Sequence, residues 1–117
     1  MNKNQFLLVA DAAQVNEKAL KKITKLYGEI KSAQIKKVLS IQTDTLFFDD
    51  YRLLAHDEII NANEELHVNF TSKRILPLID CGENDFIVYN LLKNNVSKFN
   101  IVDETFFKER ATLNDLL

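Results

Sequence analysis

Apolar residues recur at helical spacing in the first third of the chain. One stripe consists of Ala19, Leu20, Ile23, Leu26, Tyr27 and Ile30. Asn16 is a suitable N-cap before this stripe, and Gly28 is a suitable C-terminal residue after it. The pattern therefore predicts an amphipathic helix between these two residues.

A second, shorter helix is predicted after Ser32, whose hydroxyl can cap the first turn. Its apolar stripe is Ile35, Val38 and Leu39. Residues 5–13, which precede both helices, form a short apolar segment that fits either a strand or a helical turn.

The middle of the chain changes from extended to helical spacing. Residues 45–48 and 51–54 are predicted to be extended, with the turn signal Asp49-Asp50 between them. A further helix is predicted from His56, because acidic residues are favoured in a first turn. Its first turn and stripe contain Asp57, Glu58, Ile59, Ile60, Asn63 and Leu66.

The last third of the chain is mostly extended. Residues 74–81, 86–90 and 96–103 each predict a strand, with polar turns between them. Pro77 lies within the first of these strands and favours an edge position or a β-bulge. A last short helix is predicted from Thr112.

These elements predict a single α+β domain spanning residues 1–117. A chain of 117 residues is long enough for one core and too short for two. The periodicities place six residues in this core: Ile23, Leu26, Phe86, Val88, Phe99 and Ile101.

The composition excludes several classes of protein. A single Cys excludes a disulfide framework and a Cys-based zinc site, and two distant Gly residues exclude a Gly-rich phosphate loop. No apolar run approaches the roughly 18 residues that span a membrane, and the run at residues 6–10 is too short for a secretory signal. Because a lone thiol also suits a reducing compartment, we expect a cytoplasmic protein.

Candidate catalytic and metal-binding groups are few. Neither His56 nor His67 is placed beside Cys81 by the sequence, so a buried structural thiol is favoured over a nucleophile. The segment 80–85 matches a calcium loop poorly, because Gly82 stands where an oxygen ligand is required. We expect no catalytic residues, no metal and no cofactor, and a small hydrolase is the least favoured function.

Charge is distributed unevenly, although the net charge is only −2. Residues 1–40 carry eight Lys and three acidic residues, whereas residues 41–72 carry seven acidic residues and one Arg. No uniform positive field therefore attracts nucleic acid. The lysines of the first helices are typical of a solvated face.

Four stretches of this chain match the order of elements in a known family. They are LYG at residues 26–28 with the helix 34–40, YRLL at 51–54 followed by DEI at 57–59, LPLI at 76–79 followed by CGENDFIVYN at 81–90, and TLNDLL at 112–117. The chain resembles the SUKH superfamily, which includes cell-wall-assembly-regulator-like proteins and many bacterial immunity proteins.

The resemblance implies a mainly antiparallel sheet with helices packed against it, and no catalysis. Bacterial members often neutralise a toxin, frequently a nuclease, by binding it, and other members are intracellular scaffolds. We therefore expect an immunity protein that binds a cognate toxin, with a regulatory scaffold as the alternative. The expected partner is a protein, without direct contact to nucleic acid or membrane.

Acidic residues supply the candidate partner-binding surface. Nuclease toxins carry basic clefts that hold phosphates, and an acidic face would complement such a cleft. The alternative is that these residues are ordinary solvated acids. The candidates are Asp44, Asp49, Asp50, Asp57, Glu58, Glu64, Glu65, Glu83 and Asp85.

Overall fold

Seven helices and six strands form within residues 1–41 and 45–117, which are the residues that the computed structural model describes. The helices are α1 (Lys3–Ala12), α2 (Glu17–Tyr27), α3 (Ala33–Leu39), α4 (His56–Ile60), α5 (Ala62–Leu66), α6 (Phe70–Lys73) and α7 (Leu113–Leu116). The strands are β1 (Leu46–Phe48), β2 (Tyr51–Leu53), β3 (Ile75–Gly82), β4 (Asp85–Asn90), β5 (Asn95–Asn100) and β6 (Thr105–Arg110).

The strands follow chain order across one sheet, and each pairs antiparallel with its neighbours. This confirms the predicted α+β fold with an antiparallel sheet. Residues that face each other across the strands point to the same side of the sheet. One such row is Phe47, Arg52, Asp80, Phe86, Phe99 and Phe106.

Both sides of the central strands are buried. Consecutive residues 75–79 of β3 and 86–89 of β4 are buried, which requires cover on both faces of the sheet. On one face, Phe70 of α6 packs edge-on against Phe99, with ring centroids 6.0 Å apart. Phe6 of α1 stacks on Phe48, with ring centroids 4.0 Å apart, and the register places Phe48 on the other face.

Helix α2 begins and ends as the sequence predicts. The Asn16 side chain accepts a hydrogen bond from the N–H of Ala19, and Gly28 ends the helix with a φ of 112°. The core prediction is wrong for Leu26, which is 45% exposed. At 100° per residue, Leu26 lies about 90° away from the centre of the buried stripe and so reaches solvent.

Helices α3 and α7 also begin at their predicted caps, Ser32 and Thr112. The segment 5–13 fits either a strand or a helical turn by its sequence. In the structure it is helical, since all of it except Ala13 belongs to α1. Here Asn2 and Gln5 form a capping box, in which each side chain binds the other residue's N–H. The helix predicted from His56 divides at Asn61 into α4 and α5.

Pro77 lies in an interior strand with a bulge next to it, which is one of the two situations predicted for this proline. The elements differ from prediction in two respects. The strand predicted at 96–103 ends at Asn100, which leaves Ile101 half-buried in a turn; the other four core predictions are confirmed. The elements α6 and β6 are not predicted from the pattern.

No helix among the described residues is long and apolar enough to cross a bilayer.

Candidate functional site: an acidic end of the sheet

Three hairpin turns lie at the same end of the sheet. In an antiparallel meander, every second turn lies at the same end of the sheet. Here these are the β1–β2, β3–β4 and β5–β6 turns. They lie at the same height along the strands, because Arg52 faces Asp80 and Asp85 faces Asn100. With strands about 4.8 Å apart, successive turns of this set are roughly 10 Å apart. We define the acidic end as the carboxylates on and beside these turns, without Glu104, which pairs with Lys73 at 3.3 Å: Asp49, Asp50, Glu83, Asp85 and Asp103.

The members of the acidic end differ in how strongly the fold uses them. Asp50, Glu83 and Asp103 are exposed. Asp49 adopts a φ of 50°, and its carboxylate accepts a hydrogen bond from the N–H of Lys3 at 3.0 Å. Asp85 accepts a hydrogen bond from the Asn100 side chain at 2.9 Å. The carboxylates of Asp50, Glu83 and Asp103 are therefore the ones best placed to contact a partner.

An ion cluster lies on the sheet close to these turns. Arg52 of β2 donates two hydrogen bonds to Glu58 of α4, from Nη1 at 2.7 Å and from Nη2 at 2.9 Å. Asp80 of β3 lies 3.7 Å from the same guanidinium. The Glu58 carboxylate also accepts a hydrogen bond from the N–H of Ala55 at 2.9 Å, so it caps the start of α4. The cluster thus fastens α4 to the sheet.

The cluster changes the acidity of its members. The hydrogen bonds from Arg52 lower the pKa of Glu58 below its ordinary value of 4.5, and the Ala55 N–H acts in the same direction, although burial opposes both. The bond to Glu58 raises the pKa of Arg52. Both groups are therefore charged at neutral pH, and Glu58 is committed to an internal partner.

A small cavity of about 60 Å³ opens beside the cluster. Glu65 of α5 lines it together with Arg52, Glu58 and Asp80, and Leu54, Leu66 and Phe86 supply its apolar walls. Its volume corresponds to about two water molecules. The cavity is too small for a substrate. Because one guanidinium lies among three carboxylates in its lining, the cavity extends the negatively charged surface of the acidic end.

The nine predicted site residues are thus only partly brought together. Four of them belong to the acidic end, and Glu58 and Glu65 line the cavity beside it. Asp57 and Glu64 are exposed on α4 and α5 and do not line this cavity. Asp44 lies outside the described residues.

Phe47 is a site residue that sequence reasoning missed. It is 59% exposed on β1 and faces Arg52 across the strand pair. Phe48, its neighbour, is completely buried. The alternation of the two faces along a strand was the available signal, since two adjacent Phe residues face opposite sides of the sheet. Phe47 adds an apolar contact beside the negative surface.

A larger groove of about 690 Å³ lies elsewhere, between α1, α3 and α7. Gln34 bridges two of these helices, because its side chain binds Asn114 at 2.6 Å and the N–H of Leu113 at 2.9 Å. Among the described residues that line the groove, Asp11 and Lys37 are the ionisable ones, and they form an ion pair at 3.9 Å.

The candidate nucleophile Cys81 is half-buried on β3. Burial raises the pKa of its thiol from 9.0 to about 11, while Lys98 lowers it to a smaller extent. His56 lies at a helix start as predicted, and its Nε2 is in hydrogen-bond contact with the Leu39 carbonyl. His67 lies at a helix end, exposed. Across residues 1–41 and 45–117, no group of three or more His, Cys, Asp or Glu side chains is arranged to hold a metal ion.

Comparison with known proteins gives no match, whether with protein-family models, curated proteins or solved structures.

Proposed function

We propose that this chain is a non-enzymatic, SUKH-like immunity protein that neutralises a cognate nuclease toxin by direct binding. The acidic end is the docking surface, and the basic substrate cleft of the toxin is its target. The observation that carries the proposal is the placement of three acidic turns at one end of the sheet. The sequence separates these turns by about 30 and 20 residues, and the meander brings them together.

The electrostatic argument follows from what a nuclease must do. A cleft that holds phosphates is lined with cations, so opposite charge on a partner accelerates encounter and favours the orientation that blocks the cleft. The exposed carboxylates of Asp50, Glu83 and Asp103 lie on turns spaced by roughly 10 Å. This spacing exceeds the screening length of about 8 Å at physiological salt, so each turn would act on its own local group of cations.

Interfaces that rest on charge alone are weak. In the proposed interface, the exposed ring of Phe47 supplies an apolar contact. Protein interfaces usually combine a few aromatic anchors with a polar rim. The Phe47 ring is exposed beside the Arg52 cluster, next to the acidic end. We place it at the β1 side of the interface, with the carboxylates of the three turns extending from it across the sheet.

The thiol chemistry supports a non-enzymatic protein. With a pKa of about 11, Cys81 is protonated at neutral pH, whereas a catalytic thiol must ionise readily. The half-buried thiol suits a reducing compartment, and we place the protein in the cytoplasm, where an immunity protein meets an incoming toxin.

A regulatory scaffold of the same superfamily is the second candidate. The observation that favours it is a row of four exposed lysines on α2, Lys18, Lys21, Lys22 and Lys25, which gives the molecule two surfaces of opposite charge. A scaffold can use two such surfaces to hold two partners together.

The test uses the chain and the toxin encoded beside its gene. We expect the chain to protect cells against that toxin, and to bind it with an association rate that falls steeply as salt increases. The double variant Asp50→Lys/Glu83→Lys should slow association about tenfold or more at low salt. Asp49 is left intact because its carboxylate fixes the start of α1.

The matched control is Glu29→Lys/Glu64→Lys, which changes the net charge by the same amount at exposed positions outside the acidic end. This control should keep the wild-type rate within about twofold. Absence of protection and binding would overturn the immunity function. Binding that ignores both salt and the acidic-end reversals would overturn this docking surface.

A further inference from the structure

A stripe of lysines runs along the solvent side of α2. Its members are Lys18, Lys21, Lys22 and Lys25, which are all exposed and occupy positions i, i+3, i+4 and i+7. At 100° per residue they fall within an arc of about 100°. The buried residues Leu20, Ile23 and Tyr27 lie on the opposite side of the helix. We call this surface the lysine stripe.

The lysine stripe opposes the stability of the helix that carries it. Like charges three or four residues apart on a helix repel each other, and the stripe contains four such pairs. Lys18 also lies in the first turn, where the helix dipole disfavours a cation. Lys25 is the exception, because it lies in the last turn of α2, where the helix dipole favours a cation. None of the four lysines forms an ion pair with any residue in the described part of the chain. Helix stability therefore does not explain the positive charge of the other three lysines, Lys18, Lys21 and Lys22.

We propose that the lysine stripe is a second protein-binding surface, whose partner is an acidic helical segment with carboxylates at i, i+3, i+4 and i+7. Two helices that lie alongside each other can pair side chains of this spacing along about 10 Å of their length. This inference goes beyond the proposed immunity function, because the stripe is distinct from the acidic end and takes a partner of the opposite charge.

The surroundings of the stripe favour a protein over other polyanions. Binding of single-stranded nucleic acid needs exposed aromatic rings, and Tyr27, the aromatic residue of α2, is completely buried. Interfacial membrane helices insert their apolar face, but the apolar face of α2 is already buried in the core. Leu26, exposed at the border of the stripe, provides the apolar contact that protein interfaces usually contain.

Two synthetic peptides of identical composition test the proposal. One is an alanine-rich helix with four Glu at i, i+3, i+4 and i+7, and the other distributes the same four Glu around the helix. Titration into the full chain, followed by amide NMR, should give shifts confined to residues 17–27 with the first peptide. Its affinity should fall about tenfold or more between roughly 25 and 250 mM salt.

Two variants of the chain identify the surface. Replacing the four lysines of the stripe with Gln should abolish the shifts. The control replaces Lys3, Lys93, Lys108 and Arg110 with Gln, which removes the same charge at exposed positions away from α2, and should bind like the wild type. Gln is a good helix former, so the stripe variant should fold, and its melting temperature should rise because the repulsion is removed.

Three results would overturn the proposal. Equal binding of both peptides would show that only net charge is sensed. Stronger binding of duplex DNA or of phosphatidylserine vesicles, lost in the stripe variant, would assign the surface to another polyanion. A lower melting temperature of the stripe variant would show that the lysines serve the fold.

Discussion

The phenol of Tyr27 on α2 donates a 2.8 Å hydrogen bond to the main-chain carbonyl of Ile59 on α4. Both residues are completely buried. This bond connects the helix that carries the lysine stripe to the helix that is fastened to the sheet by Arg52 and Glu58. The bond thus links the lysine stripe to the Arg52–Glu58 cluster through the core.

Replacing Tyr27 with Phe should destabilise the protein by about 1–3 kcal/mol, because the Ile59 carbonyl loses its donor in a buried site. Urea denaturation measures the change. Tyr51→Phe is the control, since its half-buried hydroxyl only contacts Lys98, at 3.2 Å. Equal stability of the wild type and Tyr27→Phe would contradict the importance of this bond.

Stability should decrease at alkaline pH through the buried Tyr27 and the half-buried Cys81. Burial raises the pKa of Tyr27 from 10.0 to about 12 and that of Cys81 from 9.0 to about 11. At a pH between the ordinary and the raised pKa of each group, the unfolded chain has released a proton that the folded chain still holds. Unfolding therefore becomes more favourable as pH rises through this range. The contribution of both groups is complete below pH 9.0 and is lost by about pH 12.

Denaturation measured as a function of pH in the wild type, Tyr27→Phe and Cys81→Ser checks this expectation. Each variant should show a shallower alkaline decline than the wild type. A thiol reagent should also react slowly with the native protein at pH 8 and rapidly after unfolding. Fast reaction of the native thiol would contradict its buried, protonated state.

The Arg52–Glu58 pair should contribute about 1 kcal/mol of coupling energy at neutral pH, since it is bidentate and half-buried. A double-mutant cycle with Arg52→Met and Glu58→Gln measures it. Because the pKa of Glu58 is lowered in the folded state, the contribution is present above pH 4.5 and is lost as pH falls through the lower folded value. The exposed pair Lys93–Glu109, at 3.2 Å, should show much weaker coupling in the same cycle.

Phe47 and Phe48 should separate binding from stability. Phe48→Ala should cost about 3–5 kcal/mol, because it empties a buried site stacked on Phe6. Phe47→Ala should change stability by less than about 0.5 kcal/mol and weaken binding of the cognate toxin about tenfold or more. Calorimetry and binding kinetics on the two variants give both quantities. Unchanged toxin affinity in Phe47→Ala would remove Phe47 from the interface.

Local signals explain which elements the sequence predicts well. Helix α2 combines a wide apolar stripe with a cap at each end, so its bounds are predicted correctly. Strand β6 has no such pattern, because it is exposed along its whole length and the adjacent Phe106 and Phe107 face opposite sides of the sheet. Lys108 then adopts a left-handed φ of 55°, which interrupts the strand pairing.

The acidic end shows where local reasoning stops. Turn chemistry identifies Asp49, Asp50 and the Glu83 turn, but their meeting depends on strand order and register, which no short segment encodes. Asp103 is missed because the predicted strand runs through its position. Glu58 is predicted to be available to a partner, whereas the fold brings Arg52 against it from a different element.

The chain-order sheet has a consequence for the kinetics of folding. Every strand pair joins consecutive strands, and turns of two to four residues close four of the five pairs. The contact order is therefore low for a protein with so much sheet, and the entropy lost in closing each loop is small. The exception is the connection between β2 and β3, which contains α4, α5 and α6. We expect β3 to β6 to form rapidly as a unit, and the docking of β1 and β2 across this long connection to limit the rate of folding.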